Sequence, residues 1–183
     1  MGGSFGASIP DGVEAVGEAD VVIAAQAGGL GQPADPPGRA LDEPLISPRP
    51  DDPLTLCSAL YDALGRGDIP GLEALLDPGF RARLTPGLPW GLGEKPIDGP
   101  EAMIVDGWGV VARELDVRAV PERSWVVEDV VVVVGVYRGK ARRTDRAMEA
   151  WFVHIWRIRT ARFVELKQVT DTAAWWNAIG PGT

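Results

Sequence analysis

The chain contains a single histidine, His154, within the run Trp151-Phe152-Val153-His154-Ile155-Trp156. Side chains of a strand alternate between its two faces, so His154 shares a face with Phe152, Trp156 and Ile158. Imidazole gives or takes a proton near neutral pH without help, which makes His154 the first candidate for acid–base chemistry. The bland alternative is a hydrogen-bonded core histidine on an apolar strand face, and periodicity alone admits both.

In the following strand, Phe163, Glu165, Lys167 and Val169 alternate with Val164, Leu166, Gln168 and Thr170. If Gln168 faces the same side as His154, its amide can orient a carbonyl or hydroxyl group; otherwise it satisfies a neighbouring backbone group. Asp171 opens the pattern Asp171-Thr172-Ala173-Ala174, which predicts an N-cap. Facing an apolar pocket, the same carboxyl would have a raised pKa and would serve as acid or base. Glu149 lies five residues before His154 and points to the opposite face, and Asp106 is expected on a solvated helix. Tyr61, Trp90, Trp108, Phe152 and Trp156 are expected either as core and loop anchors or as the lining of a site for apolar, ring-shaped ligands.

Other chemistries lack their groups. One histidine, one cysteine and scattered acids give no clustered ligand spacing, so neither a metal nor a redox cofactor is expected. The apolar run from Ala19 to Ala27 enters Gly28, Gly29 and Gly31, but Pro33, Pro36 and Pro37 follow where a dinucleotide-binding loop needs a helix. No Gly-x-Ser-x-Gly is present. The run Arg138, Lys140, Arg142, Arg143 reads as a solvated hairpin.

The elements that must position these residues begin near Asp51. Residues 1–50 hold nine glycines, seven prolines and seven acids against only Arg39 and Arg49, and are expected to form a flexible or loosely docked arm. Residues 51–183 are expected to form one α+β domain. Asp52 caps a first helix with Pro53 at its first turn, ended by Gly65 and Gly67. Asp68 caps a second, Pro70 to Leu76, and a third runs from Gly99-Pro100 to about Glu114. Between them, Arg81 to Pro96 reads as a shaped loop anchored by Trp90. Strands are predicted over Val117–Val120, Ser124–Glu128, Val130–Tyr137, Ala147–Arg159 and Phe163–Thr170, with a closing helix over Thr172–Ile179. Five consecutive valines, Val130 to Val134, predict a strand buried on both faces, one against helices and the other against a further partner such as a second subunit.

A net charge of −8 and a pI near 4.7 exclude a basic footprint for nucleic acid or anionic membranes. No apolar stretch approaches the ~18 residues of a membrane helix. The lone Cys57 in an apolar helical pattern is expected as a core thiol, consistent with a reducing cytoplasm.

The segment Leu60 to Ile179 resembles the SnoaL-like polyketide-cyclase branch of the superfamily that includes nuclear transport factor 2 and ketosteroid isomerase. The resemblance rests on Ala63-Leu64-Gly65-Arg66-Gly67-Asp68, Leu88-Pro89-Trp90-Gly91 followed by Gly99-Pro100, Gly135-Val136-Tyr137-Arg138-Gly139, the His154-Ile155-Trp156-Arg157-Ile158 strand, and Phe163 to Asp171. It implies a conical α+β barrel of three N-terminal helices on a curved, mostly antiparallel sheet. The barrel encloses an apolar pocket and pairs as a homodimer through the sheet's outer face. It also implies cyclase- or isomerase-type chemistry on a polycyclic or polyketide-like substrate, with His154 at the pocket-histidine position. At the family's aspartate base stands Gln168, which cannot take a proton, so Asp171 or a water would have to substitute. The ketosteroid isomerase set falls on Leu60, Leu84 or Thr85, and His154, with Tyr61 one residue away on another helical face. The epoxide-hydrolase set falls on Gly135, Tyr137 and Gln168. A non-catalytic binding or partner-stabilising module of the same fold is the first alternative, and epoxide-hydrolase-like hydrolysis the second.

Overall fold

A computed structural model describes residues 51–180, and the arm expected over residues 1–50 lies outside the described residues. Helix α1 (Pro53–Arg66) starts as its sequence dictates: the Asp52 carboxylate accepts the Thr55 N–H at 3.0 Å, and Pro53 occupies the first turn, where no N–H is needed. Gly67 ends it with φ 65°, a left-handed conformation that a glycine adopts without steric cost. Asp68 then caps α2 (Ile69–Leu75) through the Gly71 N–H.

The chain next departs from expectation. Leu76–Arg83 is a strand, β1, running parallel to β6 (Arg162–Thr170), where the sequence shows a helix end and breakers. A single turn at Pro89–Gly91 and the two-residue β2 (Ile97–Asp98) follow, so two strands stand between the second and third helical segments. The third segment is continuous from Pro100 to Glu114 but mixed: α3 (Pro100–Ala102), a π-turn over Met103–Trp108, and α4 (Gly109–Glu114).

Strands β3 (Leu115–Val127), β4 (Val130–Ala141), β5 (Ala147–Arg159) and β6 make an antiparallel meander, and α5 (Thr172–Ile179) closes the domain. The two predicted strands at Val117 and Ser124 are one, because a register shift between Pro121 and Arg123 absorbs the residue that interrupts the pattern. The six-stranded sheet has the order β2-β1-β6-β5-β4-β3.

One sheet face is the core. Val131, Val133, Phe152, Trp156, Phe163 and Leu166 are buried there with Leu56, Cys57 and Leu60 of α1 and Trp175 of α5. Burial pushes the Cys57 thiol up to about 12, with Asp52 adding to the effect, so the thiol stays protonated. The other face carries an apolar band. Trp125, Val132 and Ile155 lie in one cross-strand row and Val120, Val136 and Trp151 in another. Trp125 and Trp151 are about half exposed there, at 47% and 50%.

Candidate functional site

Alternation along β5 turns Phe152, His154, Trp156 and Ile158 inward, as their spacing predicts. Antiparallel register places Gln168 of β6 directly opposite His154, so the amide and the imidazole share the inner face. From β4, Tyr137 enters beside them; from α1, Tyr61 comes down onto the same point.

These four residues and Trp156 form one hydrogen-bonded network. The Tyr61 hydroxyl lies 2.7 Å from His154 Nδ1, and the Tyr137 hydroxyl lies 2.7 Å from His154 Nε2. Trp156 Nε1 donates to the Tyr61 oxygen at 3.2 Å, and Gln168 Nε2 donates to the Tyr137 oxygen at 2.7 Å. Both imidazole nitrogens are thus engaged, which fixes the ring plane. Aromatic packing holds it further: Phe152 stacks on His154 at 4.2 Å between centroids, and Trp156 meets it edge-on at 5.8 Å. Phe152 can lie this close to the sheet because position 135 is glycine. A Cβ there would stand 2.3 Å from the Val120 carbonyl oxygen and 2.6 Å from the Phe152 ring.

Electrostatics hold the network neutral. Burial lowers the His154 pKa to about 3, so the ring is uncharged at physiological pH instead of titrating near its ordinary value of 6.5. Burial also raises both tyrosines, with the Trp156 hydrogen bond opposing the shift at Tyr61 and the Gln168 hydrogen bond opposing it at Tyr137. An uncharged set of two hydroxyls, an imidazole, an indole N–H and an amide offers directed hydrogen bonds to a carbonyl or hydroxyl. It offers no resting charge.

The remaining candidates separate from this cluster. Asp171 accepts the Ala173 and Ala174 N–H groups at 3.0 and 3.2 Å, which is the capping role its sequence predicts. Trp90 sits exposed in a left-handed turn at φ 61°, and Trp108 packs at the core margin; neither has an aromatic contact with the His154 cluster. Glu149 is exposed on the outer face near Arg138, and Asp106 is exposed. Trp175 donates its indole N–H to the Thr170 hydroxyl, while Trp176 donates to the Gly87 carbonyl and ties α5 to the Trp90 loop. Among the described residues no three His, Cys, Asp or Glu side chains are grouped as metal ligands would be.

Tyr137 is the participant that sequence reasoning did not select. Its inward position follows from the alternation of Val131, Val133 and Gly135, a signal masked by the unbroken valine run. Tyr61, one residue from Leu60 on α1, reaches the His154 imidazole. A surface cleft of about 430 Å³ runs along Leu84, Thr85, Pro86, Pro96, Gln168 and Val169; a second, of about 390 Å³, lies over Asp98 to Asp106. Neither includes His154, and Gln168 alone belongs to both the first cleft and the network.

Known structures share this fold. An NTF2-like protein of unknown function from Burkholderia pseudomallei is 27% identical over 73% of this chain and 99% of its own, with a TM-score of 0.65. TerC, crystallised with polyporic acid, is 24% identical over 72% of this chain and 98% of its own, with a TM-score of 0.63. IdmH from Streptomyces antibioticus, a proposed polyketide cyclase, is 22% identical over 71% of this chain and 99% of its own, with a TM-score of 0.62. Comparison with curated proteins gives no match. The model of the SnoaL-like domain matches residues 58–166, more than half of the chain, and the chain belongs to that family.

Proposed function

We propose that the protein is a small-molecule tailoring enzyme that promotes cyclisation or isomerisation of an apolar, polycyclic or polyketide-like substrate. The observation that carries this reading is the neutral His154 held between two tyrosine hydroxyls on a largely apolar inner face. Such a group contributes by hydrogen-bonding to oxygen as charge develops on it, where preorganised donors in a dry site act most strongly. His154 relays hydrogen bonding between Tyr61 and Tyr137, Gln168 orients the substrate, and Phe152 and Trp156 support the ring. The helices and sheet would enclose the substrate as a cone, with two copies pairing through the band around Trp125 and Trp151, in the cytoplasm.

A second reading, a non-catalytic binding module, is favoured by a specific observation. Gln168 cannot abstract a proton and Asp171 is occupied as a helix cap, so the network contains no carboxylate base.

Native mass spectrometry of the protein against a metabolite extract, with each captured compound compared before and after incubation, separates the two. Conversion that is lost in His154→Ala supports the enzyme. Capture without conversion supports the module, and full conversion by His154→Ala removes the proposed role of the network.

A further inference from the structure

The hydrogens of the network can be counted. The Tyr61 oxygen accepts from Trp156 Nε1, and the Tyr137 oxygen accepts from Gln168 Nε2. A neutral imidazole carries one N–H and one bare nitrogen. With the proton on Nδ1, Tyr137 donates to Nε2, and Tyr61 receives a second hydrogen and keeps its own unspent. With the proton on Nε2, Tyr61 donates to Nδ1 and the unspent hydroxyl is that of Tyr137. With the Gln168 amide nitrogen directed at Tyr137, one phenolic hydrogen lacks an acceptor within the network in either tautomer.

An acceptor is stranded as well. Gln168 is 8% exposed, and its Oε1 is buried with no hydrogen-bond partner. Buried polar atoms without partners are uncommon and costly, so each calls for an explanation. In the Nε2–H tautomer both orphans fall at one end of the network, because the Gln168 amide and the Tyr137 hydroxyl are in direct contact.

We infer that this end of the network recognises a hydroxyl group on an apolar ring, an enol or a phenol. Its O–H donates to Gln168 Oε1 and its oxygen accepts the Tyr137 O–H, with His154 held as the Nε2–H tautomer. A ketone or an ether would accept from Tyr137 but leave Oε1 unpaired; a single oxygen that both donates and accepts satisfies the two. Gln168 is also one of the residues around the cleft of about 430 Å³, whose wall combines Leu84, Pro86 and Pro96 with the charged Arg83, Lys95 and Lys167, while its Oε1 is itself buried. Thr85 fixes that wall by donating to the Gln168 carbonyl at 3.0 Å and accepting the Thr170 N–H at 3.0 Å. The inference rests on the proposed apolar ring ligand and adds the group by which it is recognised.

Calorimetric titration of the full-length protein with 2-naphthol, 2-methoxynaphthalene and naphthalene tests it. The expected result is naphthol binding at least about tenfold tighter than its methyl ether, with the hydrocarbon, which pairs with neither group, weakest. Gln168→Leu and Tyr137→Phe should each remove that preference while keeping affinity for naphthalene. If Gln168→Leu fails to fold, Tyr137→Phe carries the comparison. Equal affinity for all three rings would overturn the hydroxyl inference and leave the ring ligand standing, as would a preference that survives in Tyr137→Phe. Binding of none would overturn both.

Discussion

The Tyr137 hydroxyl lies 2.7 Å from His154 Nε2 and 2.7 Å from Gln168 Nε2, joining two residues that face each other across neighbouring strands. This one oxygen links the imidazole to the amide and makes the pair a site instead of two buried polar residues. Removing it separates structural from chemical roles. Tyr137→Phe should lower stability by about 1–3 kcal/mol in urea unfolding, because it leaves His154 Nε2 and Gln168 Nε2 without their partner. Turnover of the captured substrate should fall by a larger factor than that loss accounts for.

His154→Ala should be costlier to the fold. It deprives two buried tyrosine hydroxyls of a partner and opens space beside Phe152, and stranded polar groups cost about 1–3 kcal/mol each. Combining Tyr61→Phe with Tyr137→Phe should give non-additive losses, since both act through one ring.

Stability should depend on pH through His154 in a defined direction. Its folded-state pKa, about 3, lies below the unfolded value of 6.5, so between these values the unfolded chain binds the extra proton. Stability from this group is full above the unfolded pKa and is lost as pH falls toward 3, by at most about 1.4 kcal/mol per pH unit. Denaturant melts from neutral to acid pH on wild type and His154→Phe check this; the variant should show a shallower slope.

Gly135→Ala should destabilise the domain by about 1–3 kcal/mol, because its Cβ meets a backbone carbonyl as well as the Phe152 ring. Phe152→Leu should not restore stability, since the Val120 carbonyl remains in the way. Asp171→Asn should leave turnover unchanged, and Asp171→Ala should cost about 1 kcal/mol as a lost cap.

Trp125→Glu with Trp151→Glu should convert a dimer to monomer in light scattering if the outer band is the proposed pairing surface. An unchanged dimer would place the interface elsewhere.

Legibility followed the range of the interactions. Local rules gave α1, α2 and α5 with their caps, since Asp52, Asp68 and Asp171 each bond an N–H within three residues. Alternation gave the inward set on β5, whereas the facing of Gln168 toward His154 depends on the β5–β6 register, which alternation alone does not specify. Strand β1 was hidden because Leu76-Asp77-Pro78-Gly79 carries breaker residues and its pairing partner is β6, far along the chain. Tyr137 was masked by an unalternating valine strand. The Tyr61 contact depends on how α1 packs against the sheet, which helical spacing alone does not specify.

The most direct test of the account is the nitrogen NMR spectrum of His154, the only histidine in the chain. A neutral imidazole held in this network should show one protonated and one bare ring nitrogen, with shifts constant between about pH 5 and pH 8. A titration centred near 6.5, with both nitrogens moving toward imidazolium values, would contradict it.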